Sequence, residues 1–523
     1  MGDIFDTIGF LRGAGPDILA RFVRAHGSTD HADIRFEAVF NRSCSANDGE
    51  PRESVESESA SFGVSVTAAD RTGLQGRGQI GVEIGRRAFD RGRLVTELKA
   101  ALTEAWERAR TSARERGAIV RTGGARARSL AARKAAAAPA VEADVAPIFR
   151  IDPRGLAPSE LGGLARDASA AIAALGPAVA FNAVSATSEL RDELYISSGG
   201  ALIRQGFAFS QGDCYVVAQG ADGHQELWDV IGQQRGFEVL LDGRADGVMP
   251  NPNLRGFALE LAREAIELAA APVLKPPDHE VTVVTDPHFN SLLAHEIVGH
   301  PSEADRALKM EAAYAGRSWL LRSLDISEKG RRIGSPLLSA GSDPTIDGYG
   351  FYRYDHEGTA GRPVKHIDGG IFREFMNSRA TAAILGAEPN GSARATAAAL
   401  VPLIRMSNTF FLAGADDPAK MIADVDHGYW VRGHQIPSIA ESRENFRISA
   451  RRVYEIERGQ IGRLYRSGSV MGDSKKFFMN VDAVGNDLRL VAIPNCGKGQ
   501  PMQAKRMSNG GPTLRSRARL AGG

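Results

Sequence analysis

The sequence predicts an α+β protein: an N-terminal region of sheet plus helices, then a β-rich C-terminal domain carrying a bulged helix with an H-E-x-x-x-H motif. Three observations predict it. Residues 61–68 and 77–85 alternate at period two, as half-buried strands do, whereas Leu94, Leu98, Leu102, Ala105 and Trp106 recur at helical spacing. A β-branched run, residues 281–285, leads through Asp286-Pro287 into a short apolar segment at 289–298. Beyond that segment the chain reads mostly as strands and loops. At 523 residues it exceeds what one core usually covers. The expected organisation is an N-terminal α+β subdomain at 1–117, an Arg/Ala-rich linker at 118–148, a second α+β subdomain at 149–277 and a β-rich domain at 278–523.

In chain order, Ile18, Leu19, Phe22 and Val23 mark a helix over 16–26, and RFEAVFN marks a strand over 34–41. The acidic, polar stretch 48–60 reads as a loop, and the strands 61–68 and 77–85 as a hairpin. A helix over 93–116 runs into RARTSARERGAIVRTGGARARSLAARK at 108–134. Basic runs can bind phosphates. This one has no interleaved aromatics and has Glu104, Glu107 and Glu115 beside it, so it reads as a solvated helix and linker. A helix over 159–174 follows, then four strands, AVAFNAVSATSE, RDELYISSGG, ALIRQGFAFSQ and DCYVVAQG, and a helix over 253–269 before the KPPDH hinge. This second segment shows no chemical constellation and reads as scaffold, dimer contact or substrate entry.

Chemistry concentrates at 286–306. Asp286 can cap the helix that Pro287 opens. Inside the apolar segment lie His295, Glu296 and His300, costly there unless something compensates them. A regular helix sets i and i+4 about 40° apart, but i and i+5 about 140° apart, too far to share an ion. Either this is a buried His-Glu pair with a third histidine near a helix end, or the helix departs from α geometry by one residue. A π-bulge would absorb that residue. Gly299 eases it, and Pro301 forbids regular continuation. The expectation is a bulge or break between Glu296 and His300. A zinc site needs a third ligand. Of three cysteines, Cys496 sits in VAIPNCGKGQPM, after an apolar run and before a flexible turn. Cys44 looks like a loop residue and Cys214 like a small buried one.

HEIVGHPSEAD, RMSNTFF and CGKGQPMQAKRMSNGGPTLR, in this order, resemble the TldD/PmbA family of zinc peptidases. The similarity covers most of 275–515 and extends more weakly over 30–270. It implies zinc held by His295, His300 and Cys496, with Glu296 as the general base that activates the zinc's water. It implies hydrolysis of peptides or unfolded segments, and a dimer, either homomeric or with a metal-free TldE/PmbA-like sister. Arg405, Asn408 and Thr409 match a family segment and are expected in the cleft or in support of it. Glu303 and Asp305 read either as a solvated turn or, one of them, as the hydrogen-bond partner of a ligand histidine. His356 stands where the family usually has an acid and takes no role. Two other readings compete: a non-catalytic peptide-binding partner subunit, against which retention of all four residues argues, and a nucleic-acid or gyrase-associated modulator acting through 108–134.

Composition narrows the rest. Lys and Arg number 64 against 63 Asp and Glu, a net charge of +1, so no overall field favours nucleic acid or membrane. Three cysteines exclude a disulfide framework and fit a reducing compartment. The early acidic residues of MGDIFDTIGFLRGAG do not suit a signal peptide, Asp6 breaks the myristoylation pattern, and no apolar run reaches a membrane span. Cytoplasm is the expected location.

Overall fold

The structure is a computed structural model and describes residues 4–84, 90–122, 134–221, 223–314 and 316–522. The end of the expected strand at 85 and the central part of the Arg/Ala-rich stretch, 123–133, lie outside the described residues.

The N-terminal half is built on one seven-stranded sheet. Its strands are β1 (Thr29–Asn47), β2 (Glu50–Ala69), β3 (Gln75–Ile84), β4 (Glu142–Val145), β5 (Val179–Ser197), β6 (Leu202–Gly220) and β7 (Gly223–Gln233). The order is β3-β2-β1-β5-β6-β4, with β7 also paired to β6. Both N-terminal segments thus contribute to the same sheet. Strand alternation divides its faces. Even-numbered side chains such as Phe36, Phe62, Val184 and Val216 pack under the helices α1 (Asp6–Ala25), α2 (Arg91–Thr122), α3 (Pro158–Ala173) and α4 (Leu254–Ala270). Odd-numbered ones, among them Glu37, Glu189, Arg191 and Phe207, form the opposite face. There Arg191 donates to the Thr396 carbonyl at 2.6 Å and Arg506 pairs with Glu189 at 2.8 Å, so this face abuts the C-terminal half.

Three expectations need correction here. The acidic stretch 48–60 is largely strand: β2 begins at Glu50 and pairs with β1 from Asn47↔Glu50 onward. Its first half has no strand on its outer side among the described residues, since β3 pairs only from Ala60 onward, so its side chains are solvated and their polarity imitates a loop. Cys44, expected in a loop, is buried within β1. The four expected strands of the second segment are two long ones, β5 and β6, and a further strand, β7, follows where none was expected. The charged residues between the apolar runs of β5 are not a turn: Glu189, Arg191 and Glu193 face the C-terminal half, and Asp192 pairs with Arg204 of β6.

The C-terminal half holds two further sheets. In a seven-stranded one, β8 (Val281–Thr285) pairs in parallel with His427–Ile439 and antiparallel with Leu514–Gly522. In a six-stranded one, Arg489–Lys498 is the edge strand, paired with Gln503–Gly511. Between them runs α5 (Pro287–Ala294), whose Phe289, Leu292 and Leu293 belong to the large core of this half. No helix among the described residues is long and apolar enough to cross a membrane.

Candidate metal centre

The site begins with the cap. The Asp286 carboxylate accepts from the Phe289 N–H at 2.8 Å and from the Gly433 N–H at 3.0 Å, which starts α5 and ties it to the neighbouring strand. The helix is regular to Ala294. Residues His295–Gly299 then form a π-turn in which the His300 N–H donates to the His295 carbonyl, an i→i+5 bond, and His300–Ser302 tighten into a 3-10 turn. The expected bulge is therefore present. It brings the two histidines to the same side, with ring centroids 4.7 Å apart. Gly299 is required by more than flexibility, because a Cβ there would lie 1.9 Å from the Met406 sulfur.

The third component arrives from a different sheet. The strand Arg489–Lys498 shifts register against its partner between Ile493 and Cys496, which re-aims the cysteine. Candidate ligand atoms of His295, His300 and Cys496 all lie within 4.8 Å of one another, and all three residues are buried. The Cys496 sulfur is 3.6 Å from His300 Nε2. Each histidine is oriented from behind. The Nδ1–H of His295 donates to the Asn509 side-chain carbonyl at 2.9 Å, and that of His300 to Glu303 at 3.0 Å. Both Nε2 atoms are left as lone-pair donors, the arrangement metal-binding histidines need. Glu303 is itself fully buried between Arg306 at 2.8 Å and Lys498 at 3.1 Å, and Lys498 also holds Asp305 at 2.7 Å.

Burial would raise the pKa of the Cys496 thiol, but the two imidazoles and the Arg405 guanidinium hold it well below its usual value. These charges favour the thiolate form, whose own charge raises the pKa of His295 against the effect of burial. Two imidazoles and a thiolate are a donor set suited to zinc. Beside them, burial would push the Glu296 carboxyl up, yet Arg443 and the two histidines lower it, keeping it ionised. Arg443 forms a close ion pair with Glu296 and donates to the Tyr314 carbonyl at 3.2 Å. It sits at φ +63° in the turn after Ala440. Sequence reasoning missed it: one arginine in the polar run ESREN carries no signal of its own.

The centre opens into a cleft of about 790 Å³. Tyr215, Trp228 and Asp229 of the N-terminal sheet form part of its wall, so that half, which sequence reading left without chemistry, helps to build the site. Asp229 is held by Arg451 at 2.9 Å and His288 at 3.4 Å, and His288 stacks on His434, another cleft residue. Arg405, Asn408 and Thr409 do not line the cleft. Arg405 is buried and donates to the backbone carbonyls of Gln503, at 2.8 Å, and Cys496, so it shapes the cysteine strand. Asn408 and Thr409 bond internally, to Ile346 and Ser342 among others. His356 pairs with Glu193 of β5 at 2.9 Å, away from the centre.

With this geometry in hand, comparison places the chain. Residues 278–522 match the family model described as the PmbA/TldA metallopeptidase C-terminal domain. A metalloprotease of Methanothermobacter thermautotrophicus is 30% identical over 329 residues, which is 63% of this chain and 67% of that protein. The chain belongs to the TldD/PmbA family. A zinc metalloprotease TldD homolog of Saccharolobus solfataricus is 29% identical over 250 residues, 47% of this chain and 53% of that protein. The fold is shared with the solved structure of TldE from Thermococcus kodakarensis, at a TM-score of 0.68 and 15% identity, covering 97% of this chain and all of that one. The relatives' names place the chain in a metallopeptidase family.

Proposed function

We propose that this TldD/PmbA protein is a zinc-dependent peptidase acting on peptides or unfolded segments, with His295, His300 and Cys496 as ligands and Glu296 as general base. The observation that carries it is the convergence of three ligand atoms from two separate elements at the bottom of an open cleft, with an ionised carboxylate adjoining. Bound there, zinc supplies Lewis acidity, lowering the pKa of water and polarising a carbonyl. The chain's own residues do the rest. Asn509 and Glu303 fix the imidazoles in one tautomer. Glu296 accepts a proton from the attacking water and returns it to the leaving amine, and Arg443 keeps that carboxylate charged and oriented. The edge strand Arg489–Lys498 contributes Ala492 to Gly497 to the cleft wall; past Leu490, whose N–H bonds the Val248 carbonyl, no strand pairs with its outer side among the described residues, and that edge offers backbone groups to an extended peptide. Apolar side chains stand exposed at the rim: Ile436 at 74%, Met502 at 56% and Trp228 at 46%. A folded protein does not present an extended strand to such a cleft, which restricts the substrate class.

The test pairs metal analysis with cleavage. Near-stoichiometric zinc in the wild type and a sharp loss in Cys496→Ser are expected. Glu296→Gln should retain zinc and lose peptide hydrolysis by a factor of about 10² or more. Undiminished cleavage by Glu296→Gln would sink the mechanism. We read the partner as a second copy or a metal-free sister chain; the mass of the purified protein by light scattering, alone and mixed with that sister, separates the two.

A further inference from the structure

Next to the metal cleft lies a second chamber of about 380 Å³, between the odd-numbered face of the N-terminal sheet and the C-terminal half. The two spaces share Trp228, Pro494 and Asn495 as wall residues. Asn495 directly precedes the ligand Cys496, so the chamber mouth is one residue along the strand from the centre. On β6 the same face continues from one space into the other: Phe207, Phe209, Gln211 and Asp213 line the chamber, and Tyr215 lines the cleft.

Seven of the lining side chains are aromatic, and seven carry charge. Phe207 and Phe209 stack at 6.0 Å, Tyr349 meets Phe209 edge-on at 5.8 Å, and Phe351, Tyr352 and Tyr354 add to the lining. Trp228, half exposed, stands at the junction. The ionic groups of the lining largely satisfy one another. Glu189 accepts from Arg506 at 2.8 Å and Arg191 at 3.1 Å, and Glu193 from His356 at 2.9 Å. Three carboxylates (Glu189, Glu193, Asp213) stand against four cations (Arg191, Arg394, Lys505, Arg506), so the chamber holds no net negative charge to select a cationic guest. Two of those cations already lie over aromatic faces, Arg506 over Phe209 at 4.8 Å and Arg394 over Tyr352 at 4.3 Å. What remains open to a guest is the partly exposed area of Phe209, Phe351, Tyr354 and Trp228, with edge and face positions for another ring.

We propose that this chamber is a specificity pocket that takes a large aromatic side chain of the peptide, next to the scissile bond. This deepens the peptidase reading and rests on it for the word substrate. Such a pocket predicts a preference at one position where the cleft alone, gripping backbone, would show little. Burying one such ring accounts for roughly a 10- to 100-fold advantage over alanine at the same position.

The experiment uses the full-length, zinc-loaded protein and a set of otherwise identical unstructured peptides carrying Phe, Tyr, Ala or Lys at one scanned position. Cleavage sites are mapped by mass spectrometry, and binding is followed independently by intrinsic tryptophan fluorescence, with Trp228→Phe identifying the signal from the junction. The variant Ala504→Phe fills the chamber from its wall, with far-UV circular dichroism and zinc content as folding checks. Tyr349→Phe, which removes only a hydroxyl, serves if Ala504→Phe misfolds: Tyr349 donates to Gln211 at 2.7 Å, and its loss should alter the Tyr-over-Phe ratio. The expected result is a kcat/KM ratio of at least about tenfold for Phe or Tyr over Ala, abolished by Ala504→Phe, with a Trp228-dependent fluorescence change on binding the aromatic peptides. Equal cleavage of all peptides, or a preference for Lys, overturns the pocket. A Trp228-dependent signal with aromatic peptides but no cleavage supports the pocket and defeats the peptidase reading. Neither signal nor cleavage overturns the pocket as well.

Discussion

At the scale of single residues, the centre depends on groups that do not themselves offer a ligand atom. Glu303 is the clearest. It is fully buried and joins His300 to Lys498 and Arg306. Glu303→Gln would leave two buried cations short of a counter-charge, which typically costs about 3–5 kcal/mol. A drop in thermal midpoint together with a 10- to 100-fold weaker zinc affinity, roughly, is expected from competition with a chelator. Arg443 makes a different prediction. Arg443→Met removes the cation that holds Glu296 but touches no ligand atom. Zinc content should stay near the wild-type value while kcat falls by about tenfold or more. Loss of zinc in that variant would show that Arg443 is part of the metal's support and not of the base's.

At the scale of the element, the π-turn is the device that makes an i, i+5 pair of histidines usable. Its closest constraint is the contact of Gly299 with Met406. Gly299→Ala would place a methyl group 1.9 Å from a buried sulfur, so either Met406 or the turn must move. Overpacking of this kind costs about 1–3 kcal/mol. Adding Met406→Ala should recover part of the lost stability and of the zinc affinity. A double variant no better than the single one would mean that the turn itself, not the clash, rejects the side chain. This element was largely legible in advance, because a five-residue interval between the histidines, a glycine before the second and a proline after it all conflict with a plain helix. The full length of the strands β2 and β5 was not legible, although parts of each were read as strand. Their polar stretches obey pairing that only distant partners supply, so charge was mistaken for loop or turn.

At the scale of the molecule, the two halves meet through buried charge. Glu189 of the N-terminal sheet binds Arg506 from beside the cysteine strand. Burial would raise its carboxyl pKa, but Arg506 and Arg191 bring it down to about 2 from the ordinary 4.5. A carboxyl depressed in the folded state stabilises at pH values above its unfolded pKa and loses that contribution as pH falls towards the folded one. The wild type should therefore lose up to about 3 kcal/mol from this group between roughly pH 4.5 and 2. Glu189→Gln should be less stable at pH 7 and show a shallower decline over that window. Thermal midpoints measured across the window decide it, and an unchanged slope would remove Glu189 from the acid response.

The sequence by itself determined the helix that offers His295, Glu296 and His300, the irregularity inside it, and the division into a sheet-and-helix half and a β-rich half. Those features are local: spacing, capping and the conformational limits of glycine and proline act within a few residues. Only the tertiary structure decided that Cys496 meets the histidines from another sheet, that Arg443 faces Glu296, and that the N-terminal sheet walls the cleft and its side chamber. Each of those joins residues more than a hundred apart in the chain, where the polarity of one segment has meaning only against the partner it is buried with.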